Sequence, residues 1–547
     1  MKATLRLPLL VLVPLAPVVA VAGMTPAHAA PPSACSASWP QFGHDELHSA
    51  AAAMCPGADN ITAGNASGLA PRWFLPTQGA VTAEPAVVGG TVYVGDSSGS
   101  FRAITAANGL VKWSFTSTDQ HKAAFGEFPS SPEVASLPGS PHPLAFVGGG
   151  GTLYALDSVT GKKVWGTDVD PAQPTSAIEI ESSPVVNLST SPPEVIVGSD
   201  DNGSPGIQVT GIQAFNAYTG ALLWKYEPER DTVVHSLGDD HQGNACGDVW
   251  SSPALDTQAG LVVFGTGNCA DQTGAIAAHD FATNSGIFAV NAKTGQRVWS
   301  FFEPPNQYDT GQPSDSATGD DDFGSSAAIV HNVALPGGKH APLVIEASKS
   351  GYAYAVDERS GRLVWKDEPS QAGQLSPQLV GAVGGTIGGL SVGQAAGRPA
   401  AFMTSAIPLP FAGPGVDLGA TPPGATADTS LANDPRRAVS LHAVDLATGA
   451  VIWQDALSAP SYAPTSYSGG VVFAPSTTAF DVAAYDANTG KPLWGAPIAA
   501  AASGGTSIVG PDAFLGTGTS FGSAGPLPVP PQAFGVWSFG IAGPAAP

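Results

Sequence analysis

ALDSVTGKKVW, residues 155–165, recurs along the chain in a form that decides the architecture. AITAANGLVKW ends at Trp113, AFNAYTGALLW at Trp224 and AVNAKTGQRVW at Trp299. AVDERSGRLVW, AVDLATGAVIW and AYDANTGKPLW end at Trp365, Trp453 and Trp494. In all seven copies the Trp stands four residues after a Gly. Each copy has the chemistry of a hairpin. In all but the Trp113 copy an Asp or Asn opens the turn with a side-chain oxygen that caps backbone N–H groups, and Gly accepts positive φ. The β-branched residues that follow suit a half-buried strand, and the terminal Trp suits a contact between neighbouring sheets. Upstream of most copies lies a second hairpin, as in EPAVVGGTVYVGDSSGSFRAI (residues 84–104). A period of this kind, with four strands per unit, predicts the blades of a propeller.

The count of blades follows from the two ends. Trp73, in LAPRWF, has the strand context of the repeat but no preceding Asp-x-x-x-Gly turn, and the C-terminal strands near 506–508, 513–516 and 534–539 lack a closing repeat Trp. The two halves complete each other and predict an all-β, eight-bladed propeller closed by N- and C-terminal strands. The expected organisation is a signal peptide over residues 1–29, a lead-in over 30–70 and a single propeller over 71–547. The signal rests on Lys2 and Arg6, the apolar run Leu7–Ala22 and the small residues of Ala27-His28-Ala29, so export from the cytoplasm is expected. No later run is long and continuous enough for a membrane span.

Composition narrows the function. The formal charge is −23, which argues against a nucleic-acid partner, since phosphate binding needs a basic surface. The four cysteines, Cys35, Cys55, Cys246 and Cys269, suit disulfides in an exported protein. Proximity favours Cys35–Cys55 and Cys246–Cys269, with three pairings open. No Cys-x-x-Cys-His occurs, and no nucleophile elbow, phosphate loop or dinucleotide fingerprint is found. His44, Asp45 and His48 invite a metal reading, but they fall in the lead-in. Gly238-Asp239-Asp240-His241 reads as a polar loop. Pro408–Arg437, rich in Pro, Gly and Ala, reads as an excursion over one face.

The repeats, together with WPQFGHDELHSA (39–50), GDVWSSPALD (247–256) and DDDFGSSAAI (320–329), resemble the pyrroloquinoline-quinone (PQQ) dependent alcohol dehydrogenases, most nearly the polyvinyl alcohol dehydrogenases. That resemblance implies a set of site residues. Trp250 matches the tryptophan on which the quinone lies, and Asn268 matches an amide ligand of the catalytic Ca²⁺, an ion that takes hard oxygen donors. Asp322 matches the catalytic aspartate, which also faces the metal. Lys349 matches the cation that contacts the quinone carbonyls. The family's acidic calcium ligand has no Glu counterpart, and Asp201 is the nearest substitute. In this scheme the metal polarises the quinone, Asp322 takes the alcohol proton and Lys349 steadies developing negative charge. Lacking haem, the protein would pass electrons to a separate cytochrome or other acceptor. The adjacent-cysteine disulfide common in the family is absent. Each of the residues also has an ordinary structural explanation, so a non-catalytic propeller serving as an interaction scaffold is the competing expectation.

Overall fold

The computed structural model describes residues 37–541 except 57–58, 174, 202–209, 238–246, 268–285, 303–321, 371–384, 406–439, 458–460, 478–479, 499 and 520–532. Eight antiparallel sheets follow one another along the chain. Blade 1 contains strands Ala86–Val88, Thr91–Asp96, Ser100–Thr105 and Val111–Thr116. Blade 2 contains Glu133–Ala135, Leu144–Gly149, Thr152–Asp157 and Lys163–Asp168. Blade 3 contains Val185–Asn187, Glu194–Asp201, Gly211–Asn216 and Leu222–Glu227, extended by Ile178–Glu179 and Thr232–Val234. Blade 4 contains Ala254–Asp256, Leu261–Gly265, Gly286–Asn291 and Arg297–Phe302, and blade 5 Ala328–Ala334, His340–Ala347, Ala353–Asp357 and Leu363–Asp367. Blade 6 contains Ser391–Ala395, Arg398–Thr404, Ser440–Asp445 and Val451–Ala456. Blade 7 contains Ser466–Ser468, Val471–Ser476, Asp481–Asp486 and Pro492–Pro497. In blade 8, Thr506–Val509, Asp512–Thr517 and Gly535–Ile541 are joined by Leu69–Pro76, whose residues pair with Ile541 back to Gly535. That strand starts at Leu69, two residues before the boundary read from sequence, because Leu69 and Ala70 already pair with Ile541 and Gly540.

The repeat performs two jobs. Within a blade, its alanine faces its Trp across the third and fourth strands, as in Ala155 opposite Trp165, and a bulge follows. The turn is capped by its Asp: Asp157 Oδ1 accepts the amides of Val159 and Thr160 at 3.0 and 2.8 Å. Between blades, the Trp ring lies on the turn Gly of the next blade. A Cβ on Gly220, whose φ is +72°, would fall 2.6 Å from Trp165 Cε3. The indole N–H of Trp165 donates to the Ala217 carbonyl of the same turn at 3.0 Å. Trp73 does the same to Ala106 at 2.8 Å, which identifies it as the docking Trp of blade 8. Only Gly can satisfy both the positive φ and the ring contact.

A second motif orders the hub. Each Ser-Ser or Ser-Ser-Pro step leads into a first strand. Its first hydroxyl accepts from the second strand of its own blade, as Ser182 does from Gly198 and Ser251 from Gly265. Its second hydroxyl accepts from the preceding blade: Ser131 N–H donates to Ser183, Ser183 to Ser252 and Ser252 to Ser326. Polar side chains thereby satisfy backbone groups that no neighbouring strand reaches. The lead-in completes this. Val87, Val134, Leu255, Ile329, Val392 and Tyr467, from six blades, donate backbone N–H groups to carbonyls between Trp39 and Ala50. His44, Asp45 and His48 serve that path: Asp45 accepts the amides of Leu47 and Ser49, and His48 donates to the Ala327 carbonyl. Cys55 is buried and disulfide-bonded, while Cys35, Cys246 and Cys269 lie outside the described residues, so the pairing stays open. Gly238–His241 and the whole Pro408–Arg437 excursion also lie outside them. Among the described residues no helix is long and apolar enough to cross a membrane.

Candidate active site

First strands begin, and second strands end, on one face of the ring. The chain there enters a blade through the serine step and leaves it through a turn. In blades 3, 4 and 5 these segments carry the residues singled out from sequence. Trp250 directly precedes Ser251-Ser252 at the entry to blade 4, and Asp322 lies three residues before the equivalent Ser325-Ser326 of blade 5. Lys349 follows the second strand of blade 5. Asp201 ends the second strand of blade 3, so Asp200 and Asp201 belong to that strand. The reason is the short strand Ile178–Glu179, which pairs with both residues and extends the ladder. Asn268 lies outside the described residues.

Trp250, Asp322 and Lys349 come together. The Lys349 ammonium donates to Asp322 Oδ2 at 2.7 Å, and the Lys349 amide donates to the Asp322 carbonyl at 3.0 Å. The same Nζ stands 5.0 Å from the centroid of the Trp250 ring, within range of a cation–π contact. Two glycines allow this approach. A Cβ on Gly324 would fall 1.7 Å from Trp250 Cη2, and one on Gly267 would fall 2.6 Å from both Trp250 Nε1 and Asp322 Cγ. No side chain but hydrogen fits at either position.

The acidic side of the site includes a residue that sequence reading missed. Asp248, two residues before Trp250, is 1% exposed, and its carbonyl accepts the Gly267 amide at 2.9 Å. Its carboxylate accepts from the Thr210 hydroxyl and lies 3.5 Å from the Asp201 amide. Burial pushes the Asp248 carboxyl well above the usual range; the Thr210 bond opposes this, while the charges of Asp201 and Asp322 add to it. Asp200 is likewise pushed up, first by burial and then by Glu181, Glu179 and Asp248. Glu179, Glu181 and Asp200 bring carboxylate oxygens within 4.8 Å of one another. The signal for Asp248 was present in GDVW, where it stands as an acid inside an otherwise apolar approach to the strand.

A flat cofactor and a hard cation fit these residues. The indole N–H of Trp250 is buried and has no hydrogen-bond partner among the described residues. Asp201, Asp248 and Asp322 supply hard oxygen donors whose mutual repulsion a divalent cation would relieve.

The fold and the Trp-on-Gly docking define a propeller of the quinoprotein type. The chain belongs to the family described as glucose/ethanol/alcohol dehydrogenase, beta-propeller domain, whose family model matches residues 39–375. A second model, outer membrane protein assembly factor BamB, matches residues 437–513. Among curated relatives, a polyvinylalcohol dehydrogenase of Pseudomonas sp is 27% identical over 333 residues, covering 58% of this chain and 49% of the relative. A polyvinylalcohol dehydrogenase of Sphingopyxis sp. (strain 113P3) is 26% identical over 460 residues, covering 77% and 62%. The chain thus spans about half to three fifths of the length of these two relatives. The fold is similar to the crystal structure of quinohemoprotein alcohol dehydrogenase from Comamonas testosteroni, with TM-score 0.65 at 19% identity, covering 93% of this chain and 81% of that one.

Proposed function

We propose that this protein is a PQQ- and calcium-dependent dehydrogenase that oxidises an alcohol outside the cytoplasm, a polymeric secondary alcohol being the substrate class its relatives suggest. One observation carries the reading: the Asp322–Lys349 ion pair held against the half-buried Trp250 ring, with a wall of carboxylates beside it. Trp250 offers the floor for the quinone and Lys349 the cation at its edge. Asp322 and Asp201, with Asn268 from the family resemblance and Asp248 from the structure, are the proposed metal ligands. When bound, PQQ with its cation supplies a two-electron acceptor that the protein alone lacks.

The chain's own residues handle the proton. Asp322, as an ionised carboxylate, accepts the hydroxyl proton of the alcohol as hydride departs from the carbinol carbon. Lys349 holds that carboxylate in place and presents positive charge to the reacting centre. Gly267 and Gly324 keep the approach to the ring narrow. Electrons then leave through a separate cytochrome or other acceptor.

The test is reconstitution of purified protein with PQQ and Ca²⁺, followed by reduction of an artificial dye in the presence of alcohols. Alcohol-dependent reduction that Asp322→Asn abolishes is expected. Undiminished turnover in Asp322→Asn would remove the base from its assigned role, and no turnover with any alcohol would favour the scaffold.

A further inference from the structure

Asp256, His331 and Glu358 meet where blades 4 and 5 adjoin, at the end of the first strand of blade 4, away from the face that carries Trp250. His331 Nε2 and Asp256 Oδ2 are 2.7 Å apart, and the ligating atoms of the three side chains lie within 4.8 Å of one another. Each residue is held by its own local structure. Asp256 Oδ1 caps a turn, accepting the amides of Gln258 and Ala259 at 2.7 and 3.0 Å, which leaves Oδ2 directed at His331. His331 sits on a register shift between Val330 and Val333, next to Asn332 at φ +58°. Such a bulge re-aims a side chain. The Glu358 backbone is fixed by the Trp299 indole, which donates to its carbonyl at 2.6 Å.

Two further observations separate this cluster from ordinary structure. First, Glu358 is 2% exposed and its Oε1 is buried with no hydrogen-bond partner. Its carboxyl lies in hydrogen-bonding reach of that of Asp256, and Glu46 adds a third negative charge near Asp256. Second, the repeat does not require an acid there. The position after the turn-opening residue holds Ala106, Ser158, Ala217, Ala292, Leu446 or Ala487 in the other copies. Burying a carboxyl at a site that small residues fill elsewhere is costly unless a cation or proton meets it.

We propose that Asp256, His331 and Glu358 form a divalent transition-metal site that clamps blade 4 to blade 5. Two carboxylates and one imidazole are the donor mixture of zinc-type sites, whereas calcium takes oxygen alone. His331, with a side chain 32% exposed, forms the open side through which the ion and a water ligand enter. The site is separate from the one proposed for catalysis, so neither depends on the other.

The probe is Zn²⁺. Full-length protein stripped with a chelator is titrated calorimetrically, in the wild type and in His331→Ala, Glu358→Gln and Asp322→Asn, with circular dichroism confirming that each variant is folded. The wild type and Asp322→Asn are expected to take up a zinc equivalent that both His331→Ala and Glu358→Gln lack, and X-ray absorption of the bound metal should show one imidazole nitrogen. Zinc should raise the melting temperature of the wild type and leave that of His331→Ala unchanged. Equal zinc stoichiometry in the wild type and both site variants, or no zinc uptake by the wild type, overturns the proposal. Loss of that equivalent in Asp322→Asn alone would assign the zinc to the carboxylates beside Trp250 and overturn it as well.

Discussion

The rim and the site sector of this ring are built on opposite plans. At the rim one contact is repeated: an indole lies on the turn Gly of the next blade, from Trp73 on Gly109 round to Trp453 on Gly490. In the site sector the side chains change from blade to blade. An acid stands three residues before the serine step as Glu127, Glu179, Asp248 and Asp322. Trp250, however, directly precedes the step where the neighbouring blades carry Pro129, Glu181 and Gly324, and Lys349 brings a cation among these acids. The repeated docking contact carries closure and stability, whereas the residues particular to blades 4 and 5 turn a ring of repeated acids into a site. Mutations in the two regions should therefore fail in different ways.

The largest effect belongs to the site. Asp322→Asn should lower kcat of the reconstituted enzyme about 10²–10⁴-fold, roughly 3–5 kcal/mol in barrier, while the melting temperature stays near that of the wild type. Gly220→Ala should do the reverse. Its Cβ meets Trp165 and Thr167 at 2.5–2.6 Å with φ at +72°, so about 2–3 kcal/mol of stability should be lost in denaturant titration. If the Ala variant were as stable as the wild type, the docking contact would not be what holds neighbouring blades.

A third effect comes from the hub. Glu133 is buried, and burial raises its pKa from 4.5 to about 8, against the pull of a hydrogen bond from the Val186 amide at 2.6 Å. The folded state therefore keeps a proton that the unfolded chain releases above 4.5, so stability is greatest below that pH and falls as pH rises towards 8. The slope for one proton is about 1.4 kcal/mol per pH unit at most. Glu133→Gln, which retains an acceptor for Val186, should flatten the melting-temperature profile between pH 5 and 8; a profile as steep as the wild type's would exonerate Glu133. The smallest effect is expected from Asp157→Ala, which removes one turn cap of a repeated set and should cost about 1 kcal/mol by chemical denaturation.

This contrast also explains what the sequence disclosed. The blades could be read because the Trp, the Gly and the turn acid lie within a dozen residues of one another and recur. Trp250, Asp322 and Lys349 were singled out through the family resemblance, and the structure brings these three side chains together. Asp248 was overlooked although it is only two residues from Trp250, because its role depends on Asp201 and Asp322 from other blades. Gly267 and Gly324 stand among many glycines of the chain, and only their contacts with the Trp250 ring distinguish them. Asp256, His331 and Glu358 are spread over about a hundred residues with no motif spacing, so their meeting is a product of blade packing. The lead-in was legible as a segment, but its course along the inner strands of six blades was not, since backbone hydrogen bonding leaves little trace in side-chain pattern.

The most direct trial of the account is an equilibrium titration of the purified full-length protein with PQQ in the presence of Ca²⁺, followed through quenching of tryptophan emission. Saturable binding of one quinone per chain, lost in Trp250→Ala and kept in Asp322→Asn, is the predicted result. Absence of saturable binding at micromolar quinone, or binding that Trp250→Ala leaves untouched, would contradict it.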